Sequence, residues 1–306
     1  MNRVNEIFTC KIMALAASML MALGGITAPM PVAAQNASTG ASAGSDESPE
    51  GLAARATYVD LVTLSEQNEL VVYAQIRRQT QLKPERAPGL APGFARLYIE
   101  ADTLALISGR SALGESLVYL VDVPLDAKGK APKLKKREML LFANGAGRDA
   151  QGATRLQIAA QFAYSPAFEA RVRPILTQLV APDQPPLITG ISDALAVPGT
   201  LAGESETQIF LKTQGGSPVS LTVLRRPGQR AVWGASWGEI IDSAARAPEP
   251  ETLRWYRLAC ALPERLPSSA NLARDPAARR LAASDYAFVV NELGPCSRAI
   301  TTAPPT

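Results

Sequence analysis

Leu70-Val71-Val72-Tyr73-Ala74-Gln75-Ile76 is the stretch from which the fold is read. It is rich in β-branched and aromatic residues and holds no glycine or proline, so it reads as a strand. Similar segments follow it. Residues 94–107 read as one bent strand or two: Leu97 and Ile99 share a face, then the phase slips near Asp102-Thr103, where a bulge or turn fits. Residues 116–123 alternate Leu117, Tyr119 and Val121 against Val118, Leu120 and Asp122. Residues 139–143 and 156–162 complete the set. Between them, residues 83–93 hold three prolines and two glycines and read as a long loop. Five or more strands joined by loops point to a small barrel or a sandwich, with a five-stranded OB-like barrel as the named candidate. Upstream, Val59, Leu61, Val62 and Leu64 in residues 58–64 fit a short helix or a first strand equally well.

Downstream, Ser165-Pro166 opens a helix, with serine as N-cap and proline in the first turn. It runs to about Leu179, and Pro174 inside it is expected to kink or shorten it. Ala181-Pro182-Asp183-Gln184-Pro185-Pro186 then reads as a stiff linker and a domain boundary. Beyond it, residues 187–197, 208–213, 218–224 and 230–233 read as an antiparallel meander. The last third reads as three helices, at 237–246, 251–262 and from Asp275-Pro276 to Leu293. The third carries the apolar stripe Ala278, Leu281, Ala282, Tyr286, Val289 and Leu293. The expected class is therefore α+β. An N-terminal β-rich barrel or sandwich-like domain ending in a helix spans 53–181. An α+β domain with meander, helices and one disulfide spans 187–300.

The start of the chain reads as a secretory signal over residues 1–34. Arg3 and Lys11 precede an apolar stretch, and Val32 and Ala34 stand at the −3 and −1 positions of a cleavage site after Ala34. Residues 35–52 are rich in Ala, Ser and Gly without periodicity, and read as a disordered leader. The expected location is the periplasm in a Gram-negative host, and otherwise outside the cell. No later segment is apolar enough to span a membrane. Cleavage removes Cys10 and leaves Cys260 and Cys296, which in an exported chain read as one disulfide between two helix C-termini. The formal net charge of +3 falls to +2 once Arg3, Lys11 and Glu6 are removed, too little to steer the chain toward an anionic partner as a whole.

The chain contains no histidine. That excludes Ser-His-Asp and Cys-His nucleophiles, histidine-ligated metals and imidazole bases. Gly234-Ala235-Ser236-Trp237-Gly238 matches the nucleophile-elbow pattern G-x-S-x-G, yet Ser236 has no histidine to act as its base. Ser236-Trp237-Gly238-Glu239 also fits a capping box that opens the helix at 237, and that is the preferred reading. Glu100 with Asp102, and Glu204 with Glu206, are acid pairs at strand spacing of the kind that serves glycosidases or hard cations. Such spacing is also common by chance. Trp233 and Trp237 fit a ligand-stacking pair, but more often belong to the core. Arg225, Arg226 and Arg230 flank a Pro-Gly turn, while Arg274, Arg279 and Arg280 read as a solvated face.

One basic run stands out: Lys128, Lys130, Lys133, Lys135, Lys136 and Arg137. Its functional reading, centred on Lys133, Lys135, Lys136 and Arg137, is a loop that touches an anionic surface or an acidic envelope partner. The simpler reading is a solvated hairpin loop that keeps an edge strand soluble. No aromatic interleaves the lysines, which argues against nucleic acid. No phosphate loop, cofactor site or metal site is expected. The chain therefore reads as an exported, non-enzymatic binding or interaction protein of unspecified ligand. The alternative is an envelope hydrolase that uses carboxylates or Ser236.

Overall fold

A computed structural model describes residues 47–239 and 245–300. The expected signal peptide, its cleavage site at Ala34 and most of the leader lie outside those residues. The leader ends earlier than residue 52. Ser48 accepts a hydrogen bond from Gly51 N at 3.1 Å and opens α1 (Pro49–Arg55), with Pro49 in the first turn. Leu52 and Ala53 give this helix an apolar side that packs on the core, and a disordered chain would lack that anchor.

α2 (Tyr58–Gln67) settles the ambiguous stretch as a helix. Thr57 and Asp60 form its capping box: Asp60 N donates to Thr57 Oγ1, and Thr57 N donates to the Asp60 carboxylate. The same carboxylate accepts from Ala299 N at 3.0 Å and Ile300 N at 3.2 Å, which pins the far end of the chain to this helix. Asp60 is fully buried there.

Five strands close into a barrel: β1 (Leu70–Gln81), β2 (Phe94–Ser108), β3 (Ser116–Pro124), β4 (Glu138–Arg148) and β5 (Thr154–Ala163). Their order around the barrel is β1-β2-β3-β5-β4. β3 and β5 run parallel, and the other pairs are antiparallel. β2 is one continuous strand. The adjacent β1 residues Tyr73 and Ala74 pair with Ala105 and Thr103 and leave Leu104 unpaired, so the phase slip near Asp102-Thr103 is a bulge. Ile76, Leu97, Ile99, Leu117, Met139 and Leu141 fill the interior. Leu134, from the β3–β4 loop, inserts among them and is fully buried.

The outer wall of β1, β4 and β5 is also buried. Val71, Leu140, Phe142 and Phe162 pack with α2 and with α3 (Pro166–Leu179). Both faces of β1 are therefore apolar, which explains its unbroken hydrophobic sequence. Ser165 caps α3 by accepting from Phe168 N, and the helix continues through Pro174 to Leu179 without shortening.

Beyond the Pro-rich stretch, β6 (Ile188–Pro198), β7 (Ser205–Thr213), β8 (Val219–Arg225) and β9 (Val232–Ser236) form an antiparallel sheet in chain order, the expected meander. α4 (Leu253–Ala259) and α5 (Pro276–Leu293) follow, and α5 packs on β6 and β7. Tyr286 and Val289 meet Ile209, Leu221, Val223 and Trp233 in this second core. α4 is shorter than the expected 251–262. Of the expected helix 237–246, residues 237–239 are not helical and 240–244 lie outside the described residues. Cys260 and Cys296 form the disulfide, 36 residues apart, just past the ends of α4 and α5. No described helix is long and apolar enough to cross a membrane.

Leu134 closes one end of the barrel from a loop. Leu134→Ala should therefore lower stability by about 2–5 kcal/mol, as for any large-to-small change in a filled core. Urea unfolding measures this, and a loss below about 1 kcal/mol would show that the loop does not close the barrel.

Candidate functional site

An open cleft of about 580 Å³ lies between the C-terminal end of α2, the end of α3, the Pro-rich stretch and the base of the second sheet. Leu176, Val180, Pro185 and Leu187 supply apolar walls, and Glu66 and Arg257 lie at its floor. Arg257 is on α4, four residues after the buried Leu253, so it falls on the inward side of that helix. Its side chain is only 5% exposed. It pairs with Glu66 of α2 at 2.6 Å, donates from Nε to Pro185 O at 3.2 Å, and lies over the Tyr256 ring at 5.7 Å. A guanidinium this deep is tolerated because its charge and donors are met. α2, α4 and the Pro-rich stretch are thereby fixed to one another at the cleft floor. A smaller groove of about 340 Å³ lies across Gln184 and Pro185, beside Pro248, Thr252 and Arg254.

Tyr58 stands beside the same ion pair. Its ring meets Trp255 edge-on at 6.3 Å. Its hydroxyl is buried with no hydrogen-bond partner, and burial pushes its pKa up to about 12, against the opposing pull of the Arg257 charge. A second tyrosine is raised for another reason. Tyr73 Oη donates to Glu138 at 2.5 Å, and that bond raises its pKa to about 12. Tyr73 also stacks on Tyr164 at 3.8 Å, whose own bond to Glu169 lowers the pKa of that carboxyl.

Ser236 is not a helix cap. It ends β9, pairs across the ladder with Ser220, and is buried. Trp233 and Ala235 point to the core on alternate positions, so the segment has the period of a strand. Gly234 is required by a close approach: a Cβ there would lie 2.0 Å from the Ala245 carbonyl oxygen. The glycine in the G-x-S-x-G match thus admits a neighbouring backbone and does not build an elbow.

The acid pairs differ. Glu100 and Asp102 do share a barrel wall, but Arg77 reaches Asp102 at 3.0 Å and Arg78 reaches Glu100 at 3.4 Å. Glu204 and Glu206 are not brought together. Glu204 turns back to accept from Leu201 N, while Glu206 accepts from Gln208 Nε2. Arg225 and Arg230 do more than flank a turn. They pair with Asp285 at 2.6 Å and Glu292 at 2.7 Å, clamping the β8–β9 hairpin to α5, while Arg226 is exposed. Arg279 is not solvated either. It donates to the carbonyls of Ser268, Asn271 and Ala273, whereas Arg274 and Arg280 are exposed. Trp233 is core, and Trp237 packs at the edge of that core with Arg254 over its ring. Lys133, Lys135, Lys136 and Arg137 are exposed, and Arg137 pairs with Glu50. No cluster of metal-binding side chains occurs among the described residues.

Sequence reasoning missed Tyr58, Glu66 and Arg257. The available signal was an arginine spaced four from a leucine in a short apolar helix. No family model matches this chain, and no curated protein matches it.

Arg257→Leu should cost about 3–5 kcal/mol, because it leaves Glu66 facing an apolar wall. Glu66→Leu combined with Arg257→Leu should cost less than the sum of the single changes, as read by a double-mutant cycle in urea. Tyr58→Phe should hold or raise stability at pH 7, since it removes a buried unpaired hydroxyl. The Tyr58 pKa is raised in the folded state, so its contribution is complete below pH 10 and fades as pH climbs toward about 12. Unfolding midpoints measured from pH 8 to 12 should fall less steeply in Tyr58→Phe than in the parent chain.

Proposed function

We propose that this chain is an exported, non-enzymatic binding or interaction protein that holds its ligand in the cleft above Arg257. The observation that carries this reading is the cleft itself. It has apolar walls, a few polar groups, and a floor fixed by one arginine that pairs with Glu66 and donates to Pro185 O, which is the usual make-up of a preformed recognition site. The groups best suited to catalysis are committed elsewhere: Glu100 and Asp102 to arginines, Ser236 to the interior of a sheet. The strand order with parallel β3 and β5 fits an OB-like barrel, a fold of recognition modules, although fold alone assigns no ligand. The charged, then apolar, then small-residue pattern of residues 1–34 supports export.

Photocrosslinking side chains placed at Val180 and Leu187, on the exposed rim, test this in cells. Both positions should capture the same molecule, a position at Leu120 on the barrel wall should not, and Gln214→Trp should block capture by filling the cleft. Recovery of a glycan or lipid fragment chemically altered by the protein would instead assign catalysis.

A further inference from the structure

The β3–β4 loop presents Lys128, Lys130, Lys133, Lys135 and Lys136, all exposed. Ion pairs among the described residues are made by arginines, and none of the five ammonium groups takes part in one. The two acids that flank these lysines in sequence, Asp126 and Glu138, are already engaged. Asp126 accepts from the backbone of Lys128 and Lys130, Glu138 accepts from Tyr73, and Glu50 holds Arg137. The loop is nevertheless firmly held. Leu134 is buried in the barrel, and its N–H donates to Gln79 Oε1 while Gln79 Nε2 donates to Pro132 O at 2.9 Å. Lys136 N donates to Ile76 O, and Ile76 N donates to Arg137 O. Lys136 takes a left-handed φ of 69°, a conformation unusual for lysine, inside this bracing. Lys83 and Arg86, on the β1–β2 loop, are exposed at the same end of the barrel, where Leu125 N donates to Gly93 O.

Protection of an edge strand is the simpler explanation for such lysines, and β3 leaves a short edge next to the loop, since residues 120–124 pair with β2 but not with β5. The lysines, however, sit on the connecting loop and not on that strand, and β4 at the other end of the loop is paired on both sides over Met139–Ala143. Five like charges on a braced loop repel one another without a compensating structural gain, so their use lies outside the chain. We propose that this loop docks the protein on the phosphate headgroups of an anionic lipid bilayer. Lysine ammoniums are compact point charges that suit scattered phosphates, whereas arginine forks suit one fixed anion. Leu134 points inward and no large hydrophobic residue of the loop is exposed, so a partner protein would find no anchor for a buried hot spot there. This surface is distinct from the cleft, and the two proposals fail independently.

The test is sedimentation of the chain from Glu47 to Thr306 with vesicles of phosphatidylcholine alone or with 30% phosphatidylglycerol. Each lysine held near such a surface is worth roughly a factor of five in partitioning. Replacing all five loop lysines with Gln should therefore lower binding to the anionic vesicles by at least about 30-fold, even with partial engagement. Changing Arg110, Lys212, Arg226, Arg274 and Arg280 to Gln removes equal charge elsewhere and should change it less than about threefold, because non-contacting charges are screened. Binding should disappear in 0.5 M NaCl and should not occur on phosphatidylcholine. Equal loss in both variants would overturn the proposal by showing an effect of net charge. Absence of binding to anionic vesicles would overturn it too, as would competition by millimolar inorganic phosphate, which marks a free-anion site. Capture by poly-glutamate but not by vesicles would assign the loop to an acidic protein. Unchanged thermal unfolding of both variants shows that they are folded.

Discussion

Burial of α2 on every side over Val59–Leu64 is the constraint on which the rest of this structure depends. Val59 enters the core of the second sheet, while Leu61, Val62 and Leu64 enter the core beneath the barrel wall. Each such side chain stabilises by about 1.5–3 kcal/mol when removed from water. Its polar groups are spoken for as well. Asp60 holds the end of the chain, Thr63 bonds Tyr256, and Glu66 neutralises Arg257. The helix therefore works as a shared wall. Barrel and sheet each need it to cover an apolar face, and the described residues form one compact unit.

The candidate site is a by-product of that arrangement. Where α2 ends, the Pro-rich stretch must cross from α3 to β6, and the gap it leaves becomes the cleft. A charged floor in such a place is costly unless it is fully paired. Arg257 meets this condition with one carboxylate, one carbonyl and one ring from three different segments. The pairing orients the segments around the opening, and it also uses up the charge. What remains for a ligand is apolar surface and neutral polar groups. The lysine loop at the far reach of β1 is the opposite case, with charge that nothing in the described chain consumes.

Several elements were legible in the amino-acid order because one principle governed each. β3 alternates, Ser165-Pro166 and Asp275-Pro276 open helices, and Cys260 and Cys296 are the two cysteines outside the expected signal segment. β1 was legible as a strand because both of its faces are covered. The same two-sided burial hid α2. Its polar positions Asp60 and Thr63 are buried together with the apolar ones, so over Val59–Leu64 no side of the helix faces water. Ser236 was misread because S-x-x-E is a local signal, while the strand that claims it is set by pairing with β8. Arg225 read as a turn residue and Arg279 as solvated because their partners, Asp285 and the 268–273 carbonyls, come close only in the folded chain. Glu66 and Arg257 lie 191 positions apart, and no local pattern joins them.

If α2 is a wall common to both sheets, they must unfold together. All three tryptophans, at 233, 237 and 255, lie outside the barrel strands and report on the second sheet and its helices. The direct measurement is urea unfolding followed at once by tryptophan fluorescence and by amide exchange at Leu141 and Phe142 in β4. A single shared midpoint is the result expected of a common wall. Barrel amides that remain protected after the fluorescence transition is complete would contradict it.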